Sequence, residues 1–514
     1  MSENSANKTI ARNTIFMSAR MVIILLLQLY TTRAILASLG VVDYGIYNVV
    51  CGFVSMFTFL STAMTNGIQR FYNFELGKNG EEGITNVYNT AVRVQVILAI
   101  SLTLLIEIVG LWYINNKMVI PTERLSAAIW VFHSSVLSLV LVVLQVPYSS
   151  VVIAKEKMDF YAIISVLNSA LNLVIAILIQ YSANDRLILY GFLLVLIHLI
   201  ILISYIIYSK RITSSLVLKR EYNHSLLRSM LGFSGWNIFG SFSSVMKEQG
   251  VNMILNLFCG PVVNAARGVA AQVNGGFQGL VSNLNIAVRP QVTKSYAQGN
   301  INRTMNLTYS ISKLSCLVLF LFSYPILLEI NFVLSVWLGN NIPEHTSMFV
   351  IITVMTAFFH NLNAAVSGVV HSSGKMKLYQ ISGSIVNLLA LPISYILLKT
   401  GHSPEVVIWG IFVVAGLVQV NALLVLKTIV DYKISDYLKR VILPILLVIV
   451  TSLIPPYILH TILPYGVGRF LIICIFSFIE ISLISFFWGL SSVERNMLKS
   501  MVKEHLPHFQ TNKH

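Results

Sequence analysis

The chain has 514 residues, of which 56% are hydrophobic and only 11% are charged, and its mean hydropathy is +0.77. A soluble globular domain has about 25% charged residues, so the composition excludes a soluble fold of this length and indicates a protein whose solvent is lipid. The formal net charge is +15, but the basic residues are spread over alternate links between apolar runs. We therefore expect no nucleic-acid partner.

Fourteen apolar runs are long enough to cross a membrane, since a helical span needs about 20 mainly apolar residues. The runs are continuous and lack period-two alternation, which favours helices over barrel strands. No small-residue cleavage site follows the first run, so we expect an uncleaved span there. In chain order, the predicted spans are 13–36, 45–69, 89–114, 126–153, 160–181, 186–208, 231–257, 262–288, 308–330, 346–371, 378–398, 405–427, 441–463 and 467–489.

Lysine and arginine are concentrated on one side of the predicted spans. With the N-terminus placed in the cytoplasm, 24 basic residues fall on the cytoplasmic side and six on the opposite side. This bias follows the positive-inside rule and predicts an even number of spans, with both termini cytoplasmic. We also expect the basic side to contact anionic membrane lipids.

Three pairs of segments indicate an internal repeat with an offset near 220 residues. The pairs are "LASLGVVDYGIYNVV" with "LNLFCGPVVNAARGVAAQV", "TAMTNGIQRFYNFELGKN" with "NLNIAVRPQVTKSYAQGN", and "AKEKMDFYAIISVLNSALNLV" with "SSGKMKLYQISGSIVNLLALP". Six spans per repeat give both halves the same topology, related by a pseudo-twofold axis along the membrane normal. We predict an N-terminal six-helix bundle at 1–230, a second at 231–430, and two further spans with a cytoplasmic tail at 431–514.

The eighth predicted span carries polar groups that fall on one face of a helix. At 100° per residue they lie within an arc of about 80°; they are Asn264, Arg267, Asn274, Gln278, Asn285 and Arg289. Similar stripes occur on the first span (Asn13, Arg20, Thr31), the second (Asn48, Ser55, Thr62, Asn66, Gln69) and the seventh (Asn237, Ser241, Ser244, Glu248, Asn252), with Lys247 beside the last. We predict that these spans line a shared central cavity.

An arginine at membrane depth costs about 2.5–3.5 kcal/mol or more in lipid unless it faces water or a partner. We therefore predict substrate-binding roles in the cavity for Arg20, Arg267, Lys247, Asn264, Asn274, Gln278, Asn237 and Asn66, and a coupling role for Glu248. Two alternatives stay open: Arg267 snorkels to the outer surface while the amides join helices, and Lys247 with Glu248 forms a structural ion pair.

Other reactive side chains give no sign of catalysis. The cysteines Cys51, Cys259, Cys316 and Cys474 show neither metal spacing nor a disulfide framework. No Walker-type loop is present, so we predict no ATP site and no cofactor. We place Glu107, Glu329 and Glu480 near span ends or in helix contacts, and we interpret His133, His198 and His360 as isolated packing or cavity residues.

The chain resembles the polysaccharide flippases (Wzx-type) of the multidrug/oligosaccharidyl-lipid/polysaccharide exporter superfamily. The resemblance covers the whole chain and includes "RAILASLGVVDYGIYNVV" before the second span and "AKEKMDFYA" after the fourth. It implies a bacterial inner-membrane protein that moves undecaprenyl-pyrophosphate-linked oligosaccharide between leaflets, using a proton gradient, a sodium gradient or the membrane potential. Other polysaccharide-assembly membrane proteins are implied partners. By analogy with related lipid II flippases, it also implies cavity arginines on the first and eighth spans, where Arg20 and Arg267 lie.

Two other functions fit parts of the sequence. A MATE-like cation or drug antiporter would need acidic residues deep in the cavity, whereas the deep charges here lean positive, with Glu248 the exception. A membrane-embedded polysaccharide polymerase or glycosyltransferase would need catalytic side chains on a large outer loop. The longest outer link, 331–345, has Glu344 as its only acid, so we predict that the chain is not an enzyme.

Overall fold

The protein is an all-α integral membrane protein, and its architecture is taken from a computed structural model. The structure describes residues 3–155, 157–213, 216, 224–492 and 494–496, and no strand occurs among them. Side chains at several helical positions lie outside this description, including Asn66 and Asn237 of the predicted site.

Helices account for nearly all of the described chain. They are α1 (Glu3–Ser55), α2 (Thr58–Asn116), α3 (Leu125–Ala154), α4 (Met158–Leu178), α5 (Arg186–Ile212), α6 (His224–Cys259), α7 (Pro261–Ala297), α8 (Ile301–Leu328), α9 (Ile330–Leu338), α10 (Thr346–Ser373), α11 (Met376–Leu388), α12 (Ala390–Lys399), α13 (Pro404–Ile429), α14 (Ile434–Tyr437), α15 (Leu443–Ile462) and α16 (Val467–Ile484). Single π-helical turns, Leu438–Ile442 and Ser485–Gly489, precede α15 and follow α16.

Within the described residues, eleven helical segments are long and apolar enough to cross a membrane. Three of the fourteen predicted spans are not separate members of this set: 45–69, 231–257 and 262–288. The spans 231–257 and 262–288 lie within α6 and α7, whereas 45–69 is divided between α1 and α2 by a turn at Met56 and Phe57. All three were predicted to carry polar stripes. Their polar faces lower their mean hydropathy, which is the expected property of helices that line a path rather than face lipid.

The links between predicted spans contain more helix than expected. The stretch 70–88 was predicted to be a link, but α2 continues through it without a break. The outer link 331–345 was predicted to be a loop, yet α9 occupies most of its first half. The predicted span 378–398 is divided into α11 and α12 at Leu389. Apolar periodicity marks where a helix is buried and does not mark where its hydrogen-bonding ladder stops.

The helix bounds follow the offset of the predicted repeat. Corresponding helices begin 218 to 221 residues apart: α3 and α10 at Leu125 and Thr346, α4 and α11 at Met158 and Met376, and α5 and α13 at Arg186 and Pro404. The two glycines paired by the repeat, Gly40 and Gly260, both have φ of 77°. A side chain is disfavoured in this left-handed region, so glycine permits the same bend inside α1 and between α6 and α7.

The described helices belong to two compact units. Unit 1 consists of Met1–Gln272, Trp337–Phe349 and Gln380–Ile411, and unit 2 consists of Val273–Val336, Val350–Tyr379 and Phe412–His514. The core of unit 1 includes Val50, Ile106 and Phe132, and the core of unit 2 includes Cys316 and Leu426. The predicted bundles at 1–230 and 231–430 stay a prediction.

Large apolar side chains cover much of the outer surface of the helices. Ile108 on α2 and Ile462 on α15 are both 72% exposed, and Ile207 on α5 and Ile475 on α16 are similarly open. An apolar surface of this extent is unstable in water. It is the surface that a bilayer covers, and it agrees with a multi-pass membrane protein.

Candidate functional site

A cavity of about 260 Å³ lies in unit 1 between α1, α6 and α7. Residues of three predicted stripes meet in its wall: Asn48 and Ser55 of α1, Glu248 and Asn252 of α6, and Asn264 and Arg267 of α7. Polar faces on separate amphipathic helices are expected to turn toward one another when the opposite faces meet lipid. The stripes of the second, seventh and eighth predicted spans therefore share one site.

Three charged side chains form the electrostatic centre of this site. Nη2 of Arg267 donates to the Glu248 carboxylate at 3.1 Å and to the Glu248 backbone carbonyl at 3.3 Å. The Lys247 ammonium lies 3.9 Å from the same carboxylate. Lys247 and Arg267 are largely buried, whereas 56% of the Glu248 side chain is exposed. Two enclosed basic side chains thus share one accessible carboxylate, and the formal charge of the three groups is +1.

The direction of the Arg267 side chain bears on the snorkelling alternative. Arg267 lies about 9 Å along α7 from the turn between α6 and α7, whereas Glu248 lies about 16 Å along α6 from the same turn, at 1.5 Å per residue. By bonding to Glu248, the guanidinium reaches away from that turn and into the wall of the cavity. Its substrate-binding role stays a prediction.

Amide side chains form a second, neutral part of the site. Asn264 is fully buried and donates to the Asn252 backbone carbonyl at 2.8 Å and to its side-chain oxygen at 2.7 Å. Asn252 in turn donates to the Asn48 carbonyl at 3.4 Å. The side-chain oxygen of Asn264 is buried with no hydrogen-bond partner in the protein. Such an acceptor is expected to bind water or a donor on a ligand.

Two glycines allow the helices around the cavity to approach closely. A Cβ atom on Gly45 would lie 1.9 Å from the Pro261 carbonyl oxygen, and one on Gly268 would lie 2.7 Å from the Asn48 side chain. Gly45 accepts no side chain without separating α1 from α7, whereas a side chain at Gly268 would displace the Asn48 side chain. The amides therefore hydrogen-bond at the helix contact because glycine stands opposite them.

Arg20 occupies a different level from Arg267. It lies over the Tyr161 ring of α4, 4.9 Å from the ring centroid, and is not among the residues that line the cavity. Gln272 donates to Gln28 at 3.4 Å, which fixes the relative heights of α1 and α7. Counted from that contact, Arg20 and Arg267 are about 20 Å apart along the helix axes. The two arginines do not form one binding cluster in this conformation.

The remaining predicted site residues are distributed along α7 or lie outside the described part. Asn274 and Gln278 are half-buried residues of unit 2, and the Asn274 side-chain oxygen is buried with no hydrogen-bond partner in the protein. Asn285 lines a separate cavity of about 160 Å³ and donates to Ser315 at 3.5 Å. The side chains of Asn66 and Asn237 are outside the described residues. Their assigned roles stay predictions.

Several polar contacts were not predicted from the sequence. Tyr47, Cys51 and Gln249 line the cavity although they were not assigned to any stripe. His133 was interpreted as isolated, but its Nδ1 lies 3.0 Å from Glu107 on α2. A stripe read from one helix contains no information about groups contributed by a neighbouring helix. Within the described residues, no group of three His, Cys, Asp or Glu side chains is arranged to hold a metal ion.

The fold is similar to that of solved membrane transporters. The lipid II flippase MurJ, in an inward closed conformation, matches over 97% of this chain and 100% of its own, with a TM-score of 0.65 and 15% identity. An inward-facing multidrug resistance MATE family transporter of the MOP superfamily matches over 80% of this chain and 98% of its own, with a TM-score of 0.62 and 13% identity.

A third solved structure also has a similar fold. A MOP superfamily transporter from Pyrococcus furiosus, described by the reverse polarity of its binding pocket, has a TM-score of 0.57 and 16% identity over 83% of this chain and 96% of its own. No protein-family model matches the sequence, and no curated protein sequence matches it. These likenesses establish a transporter-type fold, which flippases and drug exporters share.

Proposed function

We propose that the chain is a flippase of the bacterial inner membrane that carries undecaprenyl-pyrophosphate-linked oligosaccharide, the repeat unit of an O-antigen, capsule or exopolysaccharide, from the cytoplasmic to the periplasmic leaflet. The observation that carries this proposal is the cluster of Lys247, Arg267 and Glu248 beside an amide-lined cavity. The fold supports transport, and the sign of the charge in the site distinguishes between anionic and cationic substrates.

The charge of the cluster favours an anionic substrate. The formal charge of two basic side chains and one carboxylate is +1, and a pyrophosphate supplies several negatively charged oxygens to such a site. Guanidinium binds phosphate oxygens through paired, charge-assisted hydrogen bonds. A cationic drug would instead meet like charge, which is repulsive in a site of low dielectric. The same fold is therefore used here for an anion.

The neutral part of the cavity suits the sugar. Amide and hydroxyl groups of Asn48, Ser55 and Asn252 face the same space as Arg267, and the free acceptor on Asn264 matches a sugar hydroxyl donor. An isoprenoid tail needs no such groups because it dissolves in the bilayer. We infer that only the diphosphate and the sugar enter the protein.

The two arginines act at successive positions on the path. Arg20 is on the predicted cytoplasmic side, at the level where the lipid-linked diphosphate arrives, and Arg267 lies about 20 Å farther along the helix axes. We infer that the diphosphate passes from Arg20 to the Lys247–Arg267 pair as the halves of the transporter rock about the site. In this proposal Arg20 and the Lys247–Arg267 pair bind the diphosphate one after the other along the path, and not together in one cluster.

Glu248 has two roles in this scheme. It neutralises Arg267 while the site is empty, and the arriving diphosphate displaces it because its side chain is the exposed member of the cluster. Protonation of Glu248 releases Arg267 for the substrate, so proton uptake and anion binding reinforce each other at this acid by thermodynamic linkage. In any proton coupling through Glu248, protonation of this acid favours binding of the anion.

Binding to the purified protein in detergent micelles tests the proposal. We expect an isoprenyl diphosphate carrying a sugar to bind at least tenfold more tightly than the matching monophosphate, a difference of about 1.4 kcal/mol. Arg267→Gln should remove that preference, and Arg303→Gln, at an exposed site outside the cavity, should keep it. Preferential binding of a lipophilic cation, lost in Glu248→Gln, would support the antiporter instead.

A further inference from the structure

A second cavity of about 270 Å³, here called the hydroxyl cavity, lies in unit 1 between α1, α3 and α5. It shares the wall residues Tyr47, Cys51 and Ser55 with the cavity that contains Arg267. These three residues are four positions apart on α1, so they form one row along a face of the helix. The two cavities therefore adjoin along this row.

The wall of the hydroxyl cavity carries polar groups but no permanent charge. Among the described residues that line it, none is Asp, Glu, Lys or Arg. Its polar groups come from all three helices and include Cys51, Ser55, Ser134, Ser138 and His198. A buried charge without a partner is strongly unfavourable, so the ligand that fits this space is uncharged. The neighbouring cavity differs in this respect, because it contains Arg267 and Glu248.

Hydrogen bonds inside the helices leave acceptors rather than donors in this wall. The Ser134 hydroxyl donates to the Trp130 carbonyl at 2.8 Å, and the Ser55 hydroxyl donates to the Gly52 carbonyl at 2.8 Å. A hydroxyl has one proton and two lone pairs. Once its proton is used within the helix, it can only accept a hydrogen bond from a ligand. The complementary ligand therefore supplies the donors.

The imidazole of His198 has the same polarity. Its Nδ1 lies 2.8 Å from the Leu194 carbonyl oxygen. A carbonyl only accepts hydrogen bonds, so Nδ1 carries the proton, and Nε2 of the neutral ring is an acceptor. Apolar side chains separate the polar groups of the wall, among them Val131 and Leu139. This alternation matches a sugar ring, which has hydroxyl donors at its edge and C–H groups on its faces.

We propose that the hydroxyl cavity binds an uncharged sugar of the lipid-linked oligosaccharide while Lys247 and Arg267 bind the diphosphate. This inference rests on the proposed function and specifies its substrate, because the cavity between α1, α3 and α5 selects neutral sugars over acidic ones. The carboxylate of an acidic sugar would meet neither a cation nor a donor in this wall. Since diphosphate and sugar are joined, a pair of adjoining cavities is the arrangement that such a substrate requires.

Binding of three ligands to the full-length protein in micelles tests the sugar site. They are a bare isoprenyl diphosphate, the same lipid carrying a neutral hexose, and the same lipid carrying the matching hexuronic acid. By titration calorimetry, we expect the hexose to lower the dissociation constant at least fivefold and the uronic acid to give no such gain. Ser138→Leu places an apolar side chain in the cavity and should bring the hexose-to-bare ratio near 1. Ser204→Leu, on α5 outside the cavity, should keep the gain.

The outcomes separate this inference from the function on which it rests. A hexose gain that persists in Ser138→Leu, or an equal gain from the uronic acid, would overturn the sugar site and leave diphosphate binding intact. A wild-type protein that does not prefer the isoprenyl diphosphate to the matching monophosphate would instead refute the proposed function, and the sugar site with it.

Labelling gives a second result that does not depend on a bulky substitution. Ser138→Cys changes one atom of the side chain, and mass spectrometry distinguishes the introduced thiol from the native cysteines after treatment with a small methanethiosulfonate. We expect the hexose-bearing lipid to slow labelling at position 138 at least threefold more than the bare isoprenyl diphosphate does. Equal protection by the two lipids, or a thiol that does not react even without ligand, would show that the cavity does not receive the sugar.

Discussion

At the residue scale, the site is a balance between two buried cations and one exposed carboxylate. Lys247 and Arg267 are enclosed, so their charges cannot be screened by water as surface charges are, and Glu248 is the group that neutralises them. Removing a basic side chain should weaken diphosphate binding, whereas removing the carboxylate should strengthen it. This opposition separates a binding cluster from a structural ion pair, for which both changes would simply destabilise the helices.

Glu248→Gln should strengthen diphosphate binding. The carboxylate that competes for Arg267 is replaced by a neutral amide, and we expect the dissociation constant to fall by up to about tenfold, or 1.4 kcal/mol. Titration calorimetry at pH 7.5 measures the dissociation constants of wild type and variant. Weaker binding in Glu248→Gln would show that the carboxylate positions Arg267 rather than competing with the substrate.

Asn264→Leu should weaken sugar recognition more than diphosphate recognition. Asn264 is buried and bonded twice to Asn252, so its loss leaves those acceptors unpaired at a cost of about 1–3 kcal/mol. We expect the gain in affinity that the sugar gives over a bare isoprenyl diphosphate to disappear. The competing outcome, an equal loss for both ligands, would mean that Asn264 supports the site only through folding.

At the element scale, glycines and termini set how the helices meet. Close approach at Gly45 brings α1 against the start of α7, and it allows the amides of three helices to share one cavity. The C-terminal segment makes a different contact. Glu494 bonds to Lys313 of α8 at 2.6 Å, and both side chains are largely buried. The first contact shapes the site, and the second joins the segment that follows α16 to α8 within unit 2.

Gly45→Ala should lower the thermal stability of the purified protein. The added methyl would overlap the Pro261 carbonyl, and overpacking of this kind costs about 1–3 kcal/mol. Gly275→Ala on α7 is a matched control, because a Cβ there meets open space. The measurement is the melting temperature in detergent. Equal melting temperatures for the two variants would contradict the close contact between α1 and α7.

The Lys313–Glu494 contact predicts a loss of stability in acid. Burial raises the pKa of Glu494, but hydrogen bonds from Lys313, Ser310 and the Ser491 backbone outweigh it, so the pKa is lowered. A depressed carboxyl pKa contributes stability that is present above the unfolded value, near 4.3, and is lost as pH falls through the folded value. Glu494→Gln should melt lower at neutral pH and lose this acid dependence below about pH 4.

At the scale of the whole molecule, the sequence predicted the class and most helices, and it did so for physical reasons. Long apolar runs and the charge bias follow directly from the bilayer, and the 220-residue offset recurs in the helix starts and in the bends at Gly40 and Gly260. Of the stripe on α7, Asn264 and Arg267 line one cavity and Asn285 lines another. The binding roles predicted for the stripe stay predictions.

What could not be predicted depends on pairing between helices. Periodicity assigns a face to each helix but leaves unknown which side chains oppose it, so the His133–Glu107 contact and the different level of Arg20 required coordinates.

The central claim is that this transporter-type fold carries a lipid-linked diphosphate outward, and leaflet sidedness tests it most directly. In sealed vesicles from a deletion strain, an added glycosidase reports which leaflet holds the lipid-linked oligosaccharide. We expect cytoplasmic accumulation without the protein, outward transfer restored by wild type and by Arg303→Glu, and no restoration by Arg267→Glu at equal protein level. Unchanged sidedness on deletion, or full restoration by Arg267→Glu, would contradict the account.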